Sequence, residues 1–380
     1  MRLASYNLEN LFDRAKALNL DTWAQGRPTL EVYKEVNTLL NEPVITPAIR
    51  ARILDDLTIL GILKVNSAGD LDRTKDGGPY ALLRENRGRL LKKPQGASIQ
   101  VVAAGRDDWI GWVELKTEAV NQVATQMTAR VARDVDADVM ALVEVESRIA
   151  VLRFNDQLLP IVGAPPYAHA MVIDGNDDRG IDVGIMTKRD YHIDLMRSHV
   201  DDTDTSGQVF SRDCAEYEIV TPLGGRLLVL VNHLKSKGYG SQTTSNTKRK
   251  RQSQRVRDIY DARRAAGATM VAIVGDMNDT PASDPLSPLL GPGSDLKDIS
   301  QHPQFQGDGR PGTYANGTAA NKIDYVLLSP ELFALTTAGG VFRQGVWGGV
   351  NGTLFPHYPE MTKAVEAASD HAAIWAEFNL

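Results

Sequence analysis

The sequence has a single cysteine, no long apolar run and no excess of positive charge. Cys214 is the only cysteine in 380 residues, which excludes an internal disulfide framework and favours a reducing compartment. No segment approaches the roughly 18 consecutive apolar residues of a membrane-spanning helix, and Met1–Asn7 lacks the apolar core of a signal peptide. These absences predict a soluble cytoplasmic protein without a membrane partner, or a secreted one if a leader has been removed.

The charge balance limits how the chain can bind phosphate. The formal net charge is −6, so the surface as a whole would not attract a polyanion, and any phosphate site must be local. A hydrophobic content of 42% with 24% charged residues is ordinary for a folded globular protein. The composition therefore excludes disorder but leaves the function open.

A short apolar run that ends in polar residues is the most informative stretch of the chain. Val271–Val274 is apolar and mostly β-branched, which predicts a buried strand, and Gly275 then leads to Asp276 and Asn278. Alternation along an extended chain places these two side chains on one side, at the carboxyl end of the strand. A carboxylate beside an amide suits a phosphoryl group, although an ordinary polar turn would look the same.

Five other predicted strands also begin or end in polar residues, and α/β packing can bring such ends to one rim. Carboxylates such as Glu144 and Asp370 offer hard oxygen ligands, which suit Mg²⁺ or Mn²⁺. His371 follows Asp370 directly and cannot easily pair with it on an extended chain, but Asp324 is available. The full set of polar strand ends is Asn7, Glu9, Glu144, His233, Asp276, Asn278, Asp324, Asp370 and His371.

The region at about 13–117 differs from the rest of the chain in its pattern of apolar and polar residues. Its first half has helical spacing, and Ser98–Ala103 with Trp109–Leu115 predicts a β-hairpin. A second unusual stretch, Gly339–Gly352, is rich in glycine and is interpreted as a loop. We therefore expect a single domain over residues 1–380 with an insertion at about 13–117.

Two further features lie outside the strand ends: a basic run and five histidines. The run Lys248–Arg251, continued by Arg255 and Arg257, lies on a predicted helix. It is typical of a nucleic-acid-binding patch but equally of a solvated helix face, and both interpretations stay open. The remaining histidines are interpreted as ordinary loop or surface residues: His169, His192, His199, His302 and His357.

The polar strand ends form six short motifs, in the order Ser5–Glu9, Leu142–Glu144, Asn232–Lys235, Gly275–Asn278, Ile323–Tyr325 and Ser369–His371. This ordered set resembles the endonuclease/exonuclease/phosphatase superfamily over roughly residues 1–12 and 118–380. The resemblance implies an α/β four-layer sandwich of two packed mixed β-sheets flanked by helices, with a helical and hairpin insertion after the first strand. It also implies metal-dependent hydrolysis of a phosphate ester by in-line attack of water.

The resemblance implies a set of metal ligands and a phosphate contact. Glu144 resembles the principal ligand of Mg²⁺ or Mn²⁺, with Asn7, Glu9 and Asp370 around the same or a second cation. Arg212 resembles a phosphate-contacting arginine of the deoxyribonuclease branch. Its planar guanidinium could bind two phosphate oxygens at once.

The resemblance also implies the groups that handle protons. His371, oriented by Asp324, resembles a base or water-positioning histidine. Asp276 and Asn278 resemble the pair that holds the nucleophile or a phosphate oxygen. His233 resembles the histidine that acts as general acid near the leaving oxygen in the deoxyribonuclease branch.

Three functions are compatible with these residues. The leading hypothesis is a divalent-metal-dependent phosphodiester hydrolase, a nuclease of low sequence specificity whose partner is DNA or RNA. The alternative is a phosphatase or phosphodiesterase for a small-molecule or lipid phosphoester, which the acidic net charge favours. The third is a non-catalytic binding protein on the same fold. The oligomeric state is left open.

Overall fold

The computed structural model describes residues 1–9, 11–18, 23–177, 179–237 and 241–380. Its strands, in chain order, are β1 (Arg2–Asn7), β2 (Asp13–Ala15), β3 (Leu63–Val65), β4 (Leu71–Arg73), β5 (Ala81–Arg87), β6 (Leu91–Lys92), β7 (Gln100–Val101), β8 (Ile110–Leu115), β9 (Thr117–Ala119), β10 (Val139–Val145), β11 (His169–Ile173), β12 (Asp182–Thr187), β13 (His192–Arg197), β14 (Thr203–Asp204), β15 (Gly207–Gln208), β16 (Cys214–Val220), β17 (Arg226–His233), β18 (Val271–Asp276), β19 (Lys297–Asp298), β20 (Phe305–Gln306), β21 (Asp324–Leu328), β22 (Thr336–Phe342) and β23 (Ala373–Phe378).

The α-helices are α1 (Trp23–Leu40), α2 (Pro47–Ile59), α3 (Gln122–Val135), α4 (Arg148–Arg153), α5 (Leu159–Ile161), α6 (Gln242–Ala265), α7 (Ser287–Leu290) and α8 (Pro330–Ala334). A π-helical turn at Phe154–Leu158 joins α4 to α5, and short 3₁₀ turns lie at Lys16–Leu18, Asp284–Leu286, Ile299–Gln301, Ala319–Asn321 and Ala364–Glu366. None of the helices in the described ranges has the length and apolar character needed to cross a bilayer.

The chain divides into two compact units. The larger consists of Met1–Phe12, Val120–Lys237 and Ser241–Leu380, and the smaller contains Asp13–Ala119. The larger unit holds two mixed β-sheets. One sheet has the strand order β11-β12-β10-β1-β23-β22-β20, and the other has the order β13-β16-β17-β18-β21-β19.

Three hydrophobic cores of the larger unit define four layers. Alternate residues of both sheets, such as Leu3 and Val139 from one and Val229 and Val274 from the other, form a core between the sheets. On its opposite face the first sheet packs against α3 and α4. The second sheet packs against α6 and α7. The predicted four-layer α/β sandwich is therefore confirmed, because each sheet is apolar on both faces and each face is covered.

Helices α3 and α6 begin at side-chain caps. Asn121 accepts hydrogen bonds from the backbone N–H of Val123 and Ala124 at the start of α3. Ser241 accepts from Thr244 N–H at the start of α6. Both caps satisfy N–H groups that have no partner within the helix. They fix where each helix meets its sheet.

The smaller unit has its own core, formed by α1, α2 and short strand pairs. The predicted hairpin between Ser98–Ala103 and Trp109–Leu115 is wrong. Strand β7 pairs with β6, and β8 pairs with β5, both antiparallel. Alternation gave the extended segments correctly, but their partners lie earlier in the chain, in a stretch too polar to predict as strand.

The glycine-rich stretch that was interpreted as a loop begins inside a strand. Gly339 and Gly340 belong to β22, which pairs with β23. A Cβ on Gly339 would lie 2.7 Å from Ile299 Cγ1, and one on Gly340 would lie 3.0 Å from the Trp375 ring. Glycine is used here for close approach between neighbouring segments, and a single sequence does not distinguish that use from a loop.

Candidate active site

Three of the predicted site residues form a row across neighbouring strands of the second sheet. His233 lies opposite Asp276 in the parallel pair β17 and β18, and Asp276 lies opposite Asp324 in the antiparallel pair β18 and β21. Gly275 precedes the row with a φ of 126°. A Cβ there would lie 1.9 Å from the carbonyl oxygen of Asn232, so the close pairing beside the row requires glycine.

The first sheet contributes the opposing strand ends. Asn7 ends β1, which is parallel to β10 and the Glu144 segment, and His371 precedes β23. Asn7 Nδ2 donates to Asp276 Oδ2 at 3.3 Å, and this bond joins the two sheets at the site. Ser369 Oγ donates to the carbonyl of Asn7 at 2.8 Å, which ties the segment before β23 to β1.

The His371 ring is hydrogen-bonded to the carboxylate of Asp324, which is itself fixed by hydrogen bonds with Thr313. Its Nδ1 lies 2.8 Å from Asp324 Oδ2, the pairing that the sequence predicted. Thr313 Oγ1 donates to the same oxygen at 2.6 Å and accepts from Asp324 N–H at 3.1 Å. Burial by itself would lower the pKa of His371, but the charges of Asp324 and Asp370 outweigh it and raise the pKa well above its usual value.

The Nε2 edge of the His371 ring points into the site. Its Nε2 lies 3.5 Å from Asn7 Nδ2, 3.6 Å from Asp370 Oδ1 and 4.0 Å from Asp276 Oδ2. Burial and the nearby charge of Asp324 raise the pKa of Asp276 to about 7. A carboxyl group that titrates near neutrality beside an imidazole can hold or accept a proton of bound water.

His233 has a different environment from His371. Its Nε2 lies 3.7 Å from both Glu144 Oε1 and Asp276 Oδ2, and its buried Nδ1 has no hydrogen-bond partner among the described residues. Burial lowers the pKa of His233 well below its usual value, and the charges of Arg212 and Arg179 lower it further. The lowered pKa favours the neutral ring, which must take up a proton before it can donate one to a bound group.

Three candidate site residues have a left-handed backbone: Glu9 (φ 52°), Glu144 (φ 60°) and Asn278 (φ 54°). The register of β10 against β12 shifts at Glu144, so that this residue is the extra residue of a β-bulge. The bulge directs the carboxylate into the site. Simple alternation past the strand ends, which was the basis for grouping Asn278 with Asp276, is therefore wrong. The chain turns instead, and Asn278 N–H donates to Asp276 Oδ1 at 2.7 Å.

Carboxylates converge on the remaining space of the site. Tyr314 packs on the His371 ring with centroids 4.8 Å apart. The charge of Asp370, followed by burial and the charges of Glu9, Asp276 and Glu144, raises the pKa of the Tyr314 phenol. Four carboxylates thus act on one phenol, and no lysine or arginine of the described residues lies within ion-pair distance of Glu144 or Asp276. Such a concentration of oxygen donors fits a hard divalent cation.

A second grouping of possible ligands, Asp276, Asp324 and His371, has one atom from each residue within 4.8 Å of the others. We do not assign a cation to it, because Asp324 Oδ2 is already shared by His371 Nδ1 and Thr313 Oγ1. The donors that fit a cation are Glu144 and Asp370. Asn7 and Glu9 lie beside them, since Glu9 N–H donates to Asn7 Oδ1 and Asp370 N–H donates to Glu9 Oε2.

Arg212 lies below the surface on the His233 side of the site. It is 2% exposed, and its Nη2 donates to the carbonyl of Leu234 at 3.0 Å. The same carbonyl accepts a hydrogen bond from Asn278 Nδ2 at 3.1 Å. Arg212 and Asn278, two residues predicted for phosphate contact, therefore lie on either side of one backbone carbonyl.

The basic run on α6 is largely neutralised. Arg249 is fully buried and holds the loop after Asn278 by donating to Asp279 Oδ2 at 2.9 Å. Other members of the run also pair with acids: Lys250 with Asp284, Arg251 with Asp204, Arg255 with Asp202 and Arg257 with Asp261. This pairing favours a structural, solvated helix over a groove for a polyanion.

The interpretation of the five remaining histidines as ordinary loop or surface residues is wrong for one of them. His199 is not an ordinary loop residue: only 14% of its side chain is exposed, and its Nε2 lies 2.6 Å from Glu216 Oε1. The sequence also misses Thr313, Tyr314 and Asp177. Each lies in a polar loop where threonine, tyrosine and aspartate are common, so nothing in one sequence marks them out.

The sequence profile of the Endonuclease/Exonuclease/phosphatase family matches residues 120–371, and this range contains eight of the ten predicted site residues. The chain belongs to that family. Members of the family are hydrolases that act on phosphoesters and generally use divalent metal ions. A comparison with curated proteins gives no match.

Several solved structures resemble this family member. One is a mannosyl-6-phosphatase from Bacteroides thetaiotaomicron, with 15% identity over 68% of this chain and 92% of that chain and a TM-score of 0.49. Truncated Caenorhabditis elegans TDP2 has 17% identity over 67% and 90%, with a TM-score of 0.46. The human nocturnin catalytic domain has 14% identity over 69% and 89%, with a TM-score of 0.46.

Proposed function

We propose that this family member is a divalent-metal-dependent phosphodiester hydrolase. The observation that carries the proposal is the meeting of His371 and His233 on one carboxylate, Asp276, at the ends of two facing sheets. One imidazole is held by a hydrogen-bonded carboxylate and the other is not, so the two can handle protons on opposite sides of a phosphoryl group. This arrangement supports a catalytic protein over a binding protein on the same fold.

Different side chains have different roles in in-line hydrolysis. Asn7, Asp276 and His371 hold the attacking water, and Asp276, whose pKa is about 7, takes its proton. His233 faces the leaving oxygen on the other side, and it donates a proton there once its ring has taken one up.

The phosphoryl oxygens and the cation use a second set of groups. Asn278 and Arg212 contact the phosphoryl oxygens. Glu144 and Asp370, with Asn7 and Glu9 beside them, would hold Mg²⁺ or Mn²⁺, which when bound supplies charge stabilisation to the phosphoryl group.

Two substrate classes follow from this site, and each has an observation in its favour. A nuclease of low sequence specificity, acting on DNA or RNA, is supported by the placement of His233 and Arg212 together. A phosphodiesterase or phosphatase for a small-molecule or lipid phosphoester is supported by the net charge of −6 and by the paired basic residues of α6. Cleavage of a polyanion should weaken steeply with added salt, whereas turnover of a small substrate should not.

The test is cleavage of plasmid DNA, structured RNA and bis(p-nitrophenyl) phosphate, each with Mg²⁺, Mn²⁺ or EDTA. Glu144→Gln is compared with Glu146→Gln, because Glu146 Oε1 accepts a hydrogen bond from Phe12 N–H at 2.6 Å and glutamine keeps that acceptor. We expect EDTA and Glu144→Gln to abolish turnover and Glu146→Gln to retain it. Undiminished cleavage by Glu144→Gln, or no hydrolysis by the wild type, contradicts the proposal.

A further inference from the structure

A single buried carboxylate joins two arginines beside His233. Asp177 lies in the loop between β11 and β12, with 9% of its side chain exposed. Arg179 donates to it twice, from Nε to Oδ1 at 2.7 Å and from Nη2 to Oδ2 at 2.6 Å. Arg212 Nη1 donates to the same Oδ2 at 3.0 Å. One carboxylate therefore joins two guanidiniums by three hydrogen bonds.

This group still has hydrogen-bonding capacity. Arg212 Nε is buried and has no acceptor among the described residues, although the side chain is only 2% exposed. An unsatisfied buried N–H of a charged group is costly, so this N–H can accommodate one further acceptor, such as a phosphate oxygen. The Nη2 contact with the carbonyl of Leu234 directs the guanidinium to the end of β17, where His233 lies.

The electrostatics agree with this placement. Burial lowers the pKa of Arg212, and Asp177 acts against that effect. Burial alone would raise the pKa of Asp177, but Arg179 and Arg212 lower it far below its usual value. The carboxylate thus lies between two arginines, a residue type that stays charged in proteins, at a place where little water would separate them from a bound anion.

Resting on the proposed function, we propose that Asp177 is a positioning residue that holds Arg179 and Arg212 as a two-arginine clamp for the oxygens of a phosphate group. Two planar guanidiniums fixed by a shared carboxylate are preorganised for two oxygens of one anion, which a single flexible arginine is not. The clamp lies on the His233 side of the site, away from the His371 and Asp324 pair.

Asp177→Asn tests the clamp, because it keeps the side-chain volume and removes the charge. Glu216→Gln is the matched control: Glu216 is 1% exposed and also joins two basic groups, Arg263 and His199, but it lies outside the site. Both variants should lose stability. Only Asp177→Asn should raise KM for bis(p-nitrophenyl) phosphate, by about tenfold, with a smaller fall in kcat.

Binding of inorganic phosphate, measured by calorimetry, supplies a readout that does not depend on turnover. We expect the affinity to fall about tenfold in Asp177→Asn and to be unchanged in Glu216→Gln. If Asp177→Asn does not fold, Arg179→Gln, which removes one arm of the clamp, should show a smaller loss of the same kind. Wild-type KM and phosphate affinity in the folded variants, or no phosphate binding by the wild type, would overturn the clamp. Phosphate binding that requires Asp177 in a protein without hydrolytic activity would overturn the proposed function alone.

Discussion

Two regions of the larger unit bury a histidine against a carboxylate, yet they differ in how their charge is balanced. At the strand ends, His371 pairs with Asp324 at 2.8 Å. Behind β16, His199 pairs with Glu216 at 2.6 Å, and Glu216 also accepts two hydrogen bonds from Arg263, each at 2.7 Å. A histidine and carboxylate pair therefore does not by itself identify a catalytic site.

The surrounding charges separate the two regions. Around His199 two of the three neighbouring acids have an arginine partner, since Arg263 neutralises Glu216 and Arg255 neutralises Asp202. Around His371 the acids accumulate, and the described residues place no lysine or arginine within ion-pair distance of Glu144 or Asp276. Clustered buried acids are costly, and such clusters are common at functional sites that bind a cation or move a proton.

The largest expected effect is a loss of activity, which tests whether only the His371 region is catalytic. His371→Ala should lower kcat/KM for bis(p-nitrophenyl) phosphate by about 10² to 10⁴-fold, the usual contribution of an acid–base group. His199→Ala should retain the wild-type value when kcat/KM is referred to folded protein. Equal losses in both variants would show that charge balance does not distinguish the two regions.

A smaller effect is expected on stability, which tests whether the charges around His199 are compensated. Arg263→Met removes the bidentate partner of Glu216, whose side chain is 1% exposed, and should lower the free energy of unfolding by about 3 kcal/mol. Urea unfolding measures this loss. Arg226→Met is the control, because that arginine is 59% exposed and its ion pairs should contribute less than about 1 kcal/mol. A loss no larger than that of the control would contradict a compensated network.

The smallest effect concerns pH. Burial alone would lower the pKa of His199, but Glu216 and Asp202 outweigh it and raise the pKa. The resulting stability is fully present below the unfolded-state value, about 6.5, and is lost as the pH rises through the raised value in the folded state. The charged or titratable groups around this histidine are Arg197, Asp202, Asp213, Glu216, Arg255 and Arg263.

The corresponding measurement is urea unfolding of the wild type and His199→Gln at pH 6 and pH 9. We expect the variant to be destabilised more at pH 6 than at pH 9. His192→Gln, at an exposed position on β13, serves as the control and should show no such difference. If the loss of unfolding free energy in His199→Gln is equal at both pH values, or larger at pH 9, the pairing of a charged His199 with its acids is contradicted.

Local pattern predicted much of the larger unit. The apolar runs before Glu144, His233 and Asp276 gave three of the strands, and the order of the polar ends predicted the family and the four-layer fold. The smaller unit was less predictable. Its strands are short and polar, so alternation could not identify which segment pairs with which, and the expected hairpin does not exist.

The backbone at the site was also beyond prediction. The bulge at Glu144 and the left-handed turn at Asn278 depend on how neighbouring strands hold the chain, and simple alternation gave the wrong geometry for Asn278. The neutralisation of the α6 run was missed for a related reason. Its acidic partners, such as Asp204 and Asp284, lie some thirty or more residues away in sequence.

The sequence by itself determined which residue types stand at the strand ends, because hydrophobic burial sets where each strand stops and polar side chains begin. Only the tertiary structure decided which charges are cancelled. Long-range packing gives Glu216 its arginine and joins Arg179 and Arg212 through Asp177. It also brings Glu144 and Asp276 together where none of the lysines and arginines that the structure describes lies at ion-pair distance. Electrostatic interactions depend on separation and burial, which sequence distance does not encode.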